Sequence, residues 1–436
     1  MVAKHLASIV HSSAEAKIGN DDSIRPMRIL FAALDAPFPV TSGRRLRNWA
    51  LLKALAEEGH EITLVYFNEP GVSTEAAAEL RQVCRNVDVM PYPDVSGGSH
   101  LEYWNRVRAL ISRLPYGAWR LRSKQFQIRI QEWLARTHFD FLVCDEIFVA
   151  ANLPARPAVP VVLDKMGLGT VVLERFLSNE RNPVKKLYGQ MELTKTRRWE
   201  ATVCHQAAMV MACSEQDRSE IERLSPGAEV MIIPNVIDVR EYEPGPCVDN
   251  HTVVFVAYMG WYPNQDAVEF FVSSILPKLR ILVPDVKFLV AGRNPPDDFR
   301  RRLSKVSGVE FTGSVPDIRP VIANSAVCVV PLRIATGTRL KVLEAAAMEK
   351  AVVSTTIGAE GLDFADGAEI VLADDSDTFA RKIAELFASP SHARAIGAAA
   401  RCRVQESYSI DTVRVALRQM LAEIAKKIGK ETEACA

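Results

Sequence analysis

The chain has 436 residues, 48% of them hydrophobic and 24% charged, with a formal net charge of +0. That length predicts two domains whose cores hold without disulfides or metals, and the balanced charge excludes bulk binding to nucleic acid, leaving only a local basic patch open. Eight cysteines and eight histidines are scattered without the spacings of zinc or redox sites, which points to a reducing compartment, and no apolar run reaches the roughly 20 residues that span a bilayer.

Residues 1–26 are polar, and the apolar run 6–10 is too short for a signal-peptide core. This leader reads as a disordered extension, with Met27 as an alternative start. From there short β-branched runs alternate with longer helical patterns, the signature of parallel sheets with crossover helices. Strands are expected near 28–34, 61–67, 87–90, 141–144, 159–163, 209–213 and 230–233, then 253–259, 287–291, 309–311, 327–331, 351–355 and 369–372. Most are continuous apolar runs, as strands covered on both faces should be. A polar, proline-bearing stretch around 236–250 lacks periodicity and marks the linker. The expected order is an N-terminal Rossmann-like domain over 27–240, a linker over 241–251, a second Rossmann-like domain over 252–407, and a C-terminal helix and tail over 408–436.

In open parallel sheets, ligands bind beyond the carboxyl ends of the strands, so the loops after strands carry the candidates. After the first strand, 37–45 (PFPVTSGRR) leads into a helix from about Arg44. Amides near Ser42 and Gly43 at its start can hold a phosphate or an acceptor hydroxyl; the alternative is a plain connection. After the strand ending near Pro331 comes 335–344 (ATGTRLKVLE). Gly337 lets the backbone approach a ligand, Thr338 is a candidate N-cap, and the helix start favours a diphosphate. Lys341 and Glu344 share a helix face: one cation for phosphate, one carboxylate for ribose hydroxyls, or else a surface ion pair. Between 103 and 131 there is no acidic residue. Arg106, Arg108, Arg113, Arg120, Arg122, Lys124 and Arg129 interleave with Trp104, Leu110, Ile111, Trp119 and Phe126, broken by Pro115 into two helices. Such a segment suits an anionic membrane surface, an anionic acceptor or plain solvation.

The string 335–344, followed by 351–355 (AVVST) and 357–361 (IGAEG), resembles the donor half of family-4 type retaining glycosyltransferases. Segments 59–65 (GHEITLV), 214–217 (SEQD), 234–238 (PNVID), 260–264 (GWYPN), Gly292 and 311–316 (FTGSVP) agree in order, so the resemblance spans about 27–411. It implies an α/β GT-B architecture: two Rossmann-like, doubly wound domains facing across a cleft, with a C-terminal helix crossing back to the first. It also implies metal-independent transfer with retention from a nucleotide-diphosphate sugar bound by the second domain. No cofactor is implied beyond that co-substrate. The acceptor is expected to be a saccharide or lipid-linked sugar; the basic segment leaves open a peripheral contact with the inner face of the cytoplasmic membrane, and the balanced charge predicts no nucleic-acid partner.

Departures from the family pattern shape the expected site. Of two glutamates separated by seven residues, Glu344 matches the second while Thr336 replaces the first. No cation stands in 260–264, so Arg339 and Lys341 take the diphosphate, with Arg293 a weaker candidate. The acceptor-side histidine is replaced by Asp145-Glu146, and a His-Asn pair by Met166-Gly167. Asp145 and Lys341 are therefore the expected catalytic groups, Asp145 alternatively capping the next segment. Gly337, Thr338, Arg339, Lys341 and Glu344 are expected to bind the donor. A nucleotide-sugar epimerase and an inactive homologue serving as a binding subunit are the rival functions. Neither the nucleotide base, the sugar, the acceptor nor the oligomeric state is encoded in a recognisable string.

Overall fold

The computed structural model describes residues 25–68, 76–93, 98–245, 248 and 250–435. The leader through residue 24 and linker positions 246, 247 and 249 lie outside them. Two all-parallel sheets form, one in each half of the chain. The first comprises β1 (Arg28–Ala33), β2 (Glu61–Asn68), β3 (Asn86–Pro91), β4 (Phe141–Asp145), β5 (Val161–Lys165), β6 (Met209–Ala212) and β7 (Val230–Ile232). They lie in the order β3-β2-β1-β4-β5-β6-β7. The second comprises β8 (Thr252–Val256), β9 (Lys287–Ala291), β10 (Val309–Gly313), β11 (Val327–Val330), β12 (Ala351–Ser354) and β13 (Val371–Leu372), in the order β10-β9-β8-β11-β12-β13. Every expected strand is present, most with ends moved by a residue or two, where ladders stop for want of a partner.

The continuous apolar runs exist because helices cover both faces of each sheet. On β1, Ile29, Phe31 and Ala33 enter one core while Leu30 and Ala32 enter another on the opposite face. The second half gathers a single larger core around Phe255, Phe271, Phe288 and Phe379.

The last helix, Ile410–Cys435, completes the core of the first half. Ile410, Val413, Leu417, Met420, Leu421 and Ile424 recur at helical spacing and pack with Ile29, Phe31 and Leu64. Burying six such side chains contributes on the order of 10 kcal/mol before chain entropy is subtracted. Arg418 pairs with Glu58 at 2.8 Å, and Arg414 with Glu57, at the end of the helix Gly43–Glu57. Where the chain returns, the Ile237 amide donates to the Tyr408 carbonyl at 3.0 Å. This crossing ties the second lobe to the first beside the linker.

The basic segment departs from expectation. It forms three helices, Gly98–Leu110, Tyr116–Arg120 and Lys124–Arg136, not two. Phe126 and Ile130 point into the first-lobe core, while Tyr103, Trp104 and Ile111 remain exposed. Among the described residues, no helix is long and apolar enough to cross a membrane.

Candidate active site

Strand order reverses between β1 and β4 in the first sheet and between β8 and β11 in the second. The crevices at these switch points are where open parallel sheets take ligands. Here the two lobes meet along the loops that leave the carboxyl ends of β5 and β11. The Thr336 hydroxyl accepts from the Leu168 amide at 3.0 Å. The Thr338 hydroxyl accepts from the side-chain amide of Asn235. A Cβ on Gly43 would lie 3.1 Å from Leu340 of the other lobe.

Gly337 has φ +73°, and a Cβ there would stand 1.9 Å from the Met166 carbonyl oxygen. Only glycine fits, because the left-handed backbone and the close approach coincide. What it approaches is the backbone of the opposite lobe. Gly337→Ala is therefore expected to open this seam. The left-handed conformation alone costs about 1–2 kcal/mol, and the displaced lobes should enlarge the radius of gyration in solution scattering. An unchanged melting temperature together with an unchanged scattering profile would refute it.

The second-lobe wall is cationic. Arg339 is 6% exposed. Its Nη1 donates to the Thr336 carbonyl, whereas Nε and Nη2 have no partner. Burial drives its pKa down to about 10, against the pull of Glu360 and Asp217. On the helix Leu340–Ala347, Lys341 Nζ donates to Asn264 Oδ1 at 3.0 Å and sits 4.2 Å from the Phe255 ring centroid. Burial, joined by the charge of Arg339, pushes this ammonium down to about 7. One turn along, Glu344 Oε1 accepts from the Tyr242 hydroxyl at 3.2 Å. Burial pushes its carboxyl up to about 7 in spite of that hydrogen bond and of Lys341. Arg175 of the first lobe closes the rim, meeting both carboxylate oxygens of Glu360 at 2.7 and 2.6 Å, while Gln216 donates to Oε1 at 2.6 Å. Across the mouth, Phe176 meets Tyr262 edge-on at 5.3 Å between ring centroids.

The first-lobe floor is a layer of buried charge. Asp145, at the end of β4, is fully buried. Its Oδ2 accepts from the Leu34 amide at 3.1 Å and from Asn48 Nδ2 at 2.9 Å, while Oδ1 has no partner. Burial pushes this carboxyl up to about 7; Arg44 opposes the shift and Glu146, Asp164 and Asp35 add to it. Glu146 follows with φ +70°, a strained value for a side chain of this size. The strain is held by Lys165, whose Nζ lies 3.2 Å from Glu146 Oε2 and 3.0 Å from Glu200 Oε1. Beneath them Arg47 forks onto Asp164 at 2.7–3.0 Å and reaches the Ile233 and Pro234 carbonyls and Asn235 Oδ1. It thereby fixes the Asn235 that holds Thr338.

Three readings of local geometry need correcting. Thr338 is not the N-cap: the helix begins at Leu340, with Arg339 in the cap position and no side-chain cap bond. The Thr338 hydroxyl turns instead to Asn235. Asp145 does occupy the cap position of Glu146–Ala150, but its carboxylate makes no cap bond and turns inward under β1. Nor are Lys341 and Glu344 a surface pair. Both are half-buried and each has its own partner. Ser42 caps the helix Gly43–Glu57 by accepting from the Arg45 amide, and Gly43 packs under Leu340. Arg293 stacks on Tyr258 at 4.9 Å.

Tyr242, Asn264, Arg175 and Glu360 escaped the sequence reading as site residues. Asn264 and Glu360 lie inside strings that were singled out, so spacing offered a signal for them. Tyr242 and Arg175 offer none, because each meets its partner only through the packing of distant segments. Among the described residues, no cluster of three or more His, Cys, Asp or Glu could hold a metal ion.

The fold and site place the molecule among two-lobed enzymes that work on ligands held between facing Rossmann-like domains. Residues 47–241 match Glycosyltransferase Family 4, and residues 250–389 match Glycosyl transferases group 1. The chain belongs to the family-4 type glycosyltransferases of GT-B architecture. Among curated relatives, phosphatidyl-myo-inositol mannosyltransferase of Mycolicibacterium smegmatis is 24% identical over 79% of this chain and 80% of its own length. An uncharacterized 44.6 kDa protein in the cps region of Klebsiella pneumoniae is 21% identical over 87% and 96%. Solved structures with the same fold include sucrose-phosphate synthase from Thermosynechococcus elongatus, with a TM-score of 0.68 at 16% identity over 92% of this chain and all of that one. Anabaena HepE in complex with UDP-glucose gives 0.61 at 14% identity over 92% and 100%.

Proposed function

We propose that this glycosyltransferase takes its sugar from a nucleotide-diphosphate sugar held on the second-lobe wall and transfers it, with retention and without a metal ion, to a saccharide or lipid-linked acceptor. The observation that carries this reading is Arg339: a buried guanidinium with two unpartnered nitrogens, beside the half-buried ammonium of Lys341. Two neighbouring cations largely taken out of water, with Glu360, Asp217 and Glu344 offsetting only part of the loss, are unfavourable. A diphosphate supplies the missing acceptors. In transfer, the same groups stabilise the charge that develops on the leaving diphosphate. Glu344, aligned by Tyr242, accepts hydroxyls of the ribose. Asp145 and Glu146 sit below the acceptor side and supply the negative field that orients an incoming hydroxyl. That Anabaena HepE, of the same fold, is solved in complex with UDP-glucose and that a relative is a mannosyltransferase supports a nucleotide-sugar donor. The same incomplete cationic wall argues against an inactive homologue, since retaining it without an anion only destabilises the fold. Transfer of the sugar to an acceptor extract, not release of a free altered sugar, separates this reading from an epimerase.

Calorimetry against UDP, GDP, ADP and TDP tests the donor site. One nucleotide should bind, and Glu344→Ala should weaken it by about tenfold or more, the loss of a charged hydrogen-bond acceptor. Affinity should fall as pH rises above about 7, where the free Lys341 loses its proton and binding must restore it. Lys341→Arg stays charged, so its affinity should lose that part of the fall and keep only the dependence that Glu344, also pushed to about 7, contributes. No binding by any of the four, or identical pH profiles for the two proteins, would sink the assignment. The anomeric configuration of the product, read by NMR, tests retention.

A further inference from the structure

Glu360 of the second lobe is gripped from the first. Arg175, on the helix Gly169–Asn179, donates to both of its carboxylate oxygens, and Gln216, on the helix Glu215–Leu224, donates to Oε1. Arg175 Nη1 also donates to the Ala335 carbonyl. Three of the roughly four acceptor positions of this carboxylate are thus filled across the cleft. The turn that carries Glu360 packs beside Arg339. Gly361, the next residue, has φ +77°, and a Cβ there would lie 2.9 Å from Thr338 Cγ2. Of the carboxylates acting on Arg339, Glu360 pulls most strongly, ahead of Asp217. Yet Arg339 Nε and Nη2 have no partner, so Glu360 makes no hydrogen bond to either. Asp217 is tied down: it is buried at the start of its own helix and bound to the Ser214 hydroxyl at 2.7 Å. Glu360 follows the short turn Ile357–Ala359, and its side chain is 14% exposed.

We propose that Arg175 and Gln216 are positioning residues for the donor: with the lobes in contact they hold Glu360 off Arg339, which leaves that guanidinium open to the diphosphate, and when the lobes part Glu360 turns to Arg339 and displaces the diphosphate. The exchange rests on the donor reading, a diphosphate on Arg339, and adds what controls access to it. A buried guanidinium without an anion is costly, so a carboxylate released beside Arg339 pairs with it. The fork from Arg175 belongs to the strong class of hydrogen bonds, and it keeps Glu360 occupied as long as it lasts. Lobe opening withdraws Arg175 and Gln216 together, because both sit on helices of the first lobe. Closure therefore prepares the cation for an incoming donor, and opening replaces the departing diphosphate with an internal anion. Such coupling is reciprocal, so the bound diphosphate favours the closed arrangement by the same free energy.

Calorimetry with whichever of UDP, GDP, ADP and TDP binds the parent protein tests this on three variants of the full chain. Arg175→Met removes the fork, so Glu360 occupies Arg339 in either arrangement. Affinity should fall by about tenfold or more, the strength of a charged hydrogen bond that the diphosphate must then break. Glu360→Gln removes the competing charge, so affinity should equal or exceed the parent's. Its release of nucleotide, read by stopped flow, should slow by about threefold or more, a test that stands by itself should Arg175→Met lower the melting temperature. Arg175→Met/Glu360→Gln should bind within about threefold of the parent. If Arg175 acted by touching the ligand, or only by joining the lobes, the double variant would stay as weak as Arg175→Met. That outcome, an Arg175→Met that binds like the parent, or a Glu360→Gln that releases nucleotide as fast as the parent would overturn the exchange, and the donor site would stand so long as Arg339→Met weakens binding. An Arg339→Met that binds unchanged, or no binding by any of the four nucleotides, would remove the donor assignment and the exchange with it.

Discussion

Replacing Arg339 with methionine is expected to move stability and binding in opposite directions. In the free protein the guanidinium is buried with two nitrogens unpartnered, and burial pushes its pKa down to about 10. An apolar side chain of similar length removes that desolvation penalty, and such replacements of buried charge stabilise by roughly 1–4 kcal/mol. The bond to the Thr336 carbonyl is lost, which offsets about 1 kcal/mol. The melting temperature should therefore rise or hold. Nucleotide-diphosphate affinity should fall by at least about a hundredfold, close to 3 kcal/mol, because a buried anion then meets no forked donor. The comparison needs only thermal unfolding and calorimetry on the two proteins. A variant that melts much lower would show that Arg339 is a structural cation already compensated in the free state. A variant that binds nucleotide unchanged would place the diphosphate elsewhere.

Asp145→Asn should show the same opposition on the other wall. Burial raises the Asp145 carboxyl from 3.8 to about 7, so the folded protein holds this proton more tightly than the unfolded chain does. Between those values the folded state binds more protons, so stability falls as pH rises from about 4 to about 7. The penalty is complete above the folded value and absent below the unfolded one. Asparagine keeps an acceptor for the Leu34 amide and Asn48 but carries no charge to desolvate. The variant should therefore match the parent near pH 4 and exceed it at pH 8, by roughly 4 kcal/mol at most for a shift of about three units. On the proposed assignment turnover should drop by about a hundredfold or more, with little change in nucleotide affinity, because the missing charge lies in the first lobe at the end of β4, away from Arg339 and Lys341 on the second. Unfolding curves that run parallel across this pH range would mean that Asp145 is ionised and compensated throughout. Full turnover would remove it from the chemistry.

Much of the molecule was legible in one dimension. Thirteen strands stand where the apolar runs lie, because a strand covered on both faces has to be apolar along its whole length. The C-terminal helix was legible in an apolar stripe over about 411–427, and its crossing back to the first lobe only through the family resemblance. The candidate site was legible where one helix and its first flanking residue act together: Lys341 and Glu344 share a helix face, and Arg339 stands in the cap position just before it.

What sequence alone could not decide were the partners of these groups. Tyr242 meets Glu344, Asn264 meets Lys341, and Arg175 meets Glu360 only after two lobes and a linker have packed. Spacing along a chain carries no information about such meetings. The same is true of what Gly337 approaches. The sequence demanded a position without a side chain, and tertiary structure filled that space with the Met166 carbonyl of the opposite lobe. Burial is also a property of the assembled fold. Whether Asp145, Lys341 and Glu344 titrate near neutrality or at their ordinary values depends on how much water the surrounding elements exclude. The sequence by itself determined which charges exist and which helix or strand end carries them. The tertiary structure decided which were left without a partner, and the loss of water around them is what turns those charges into a site.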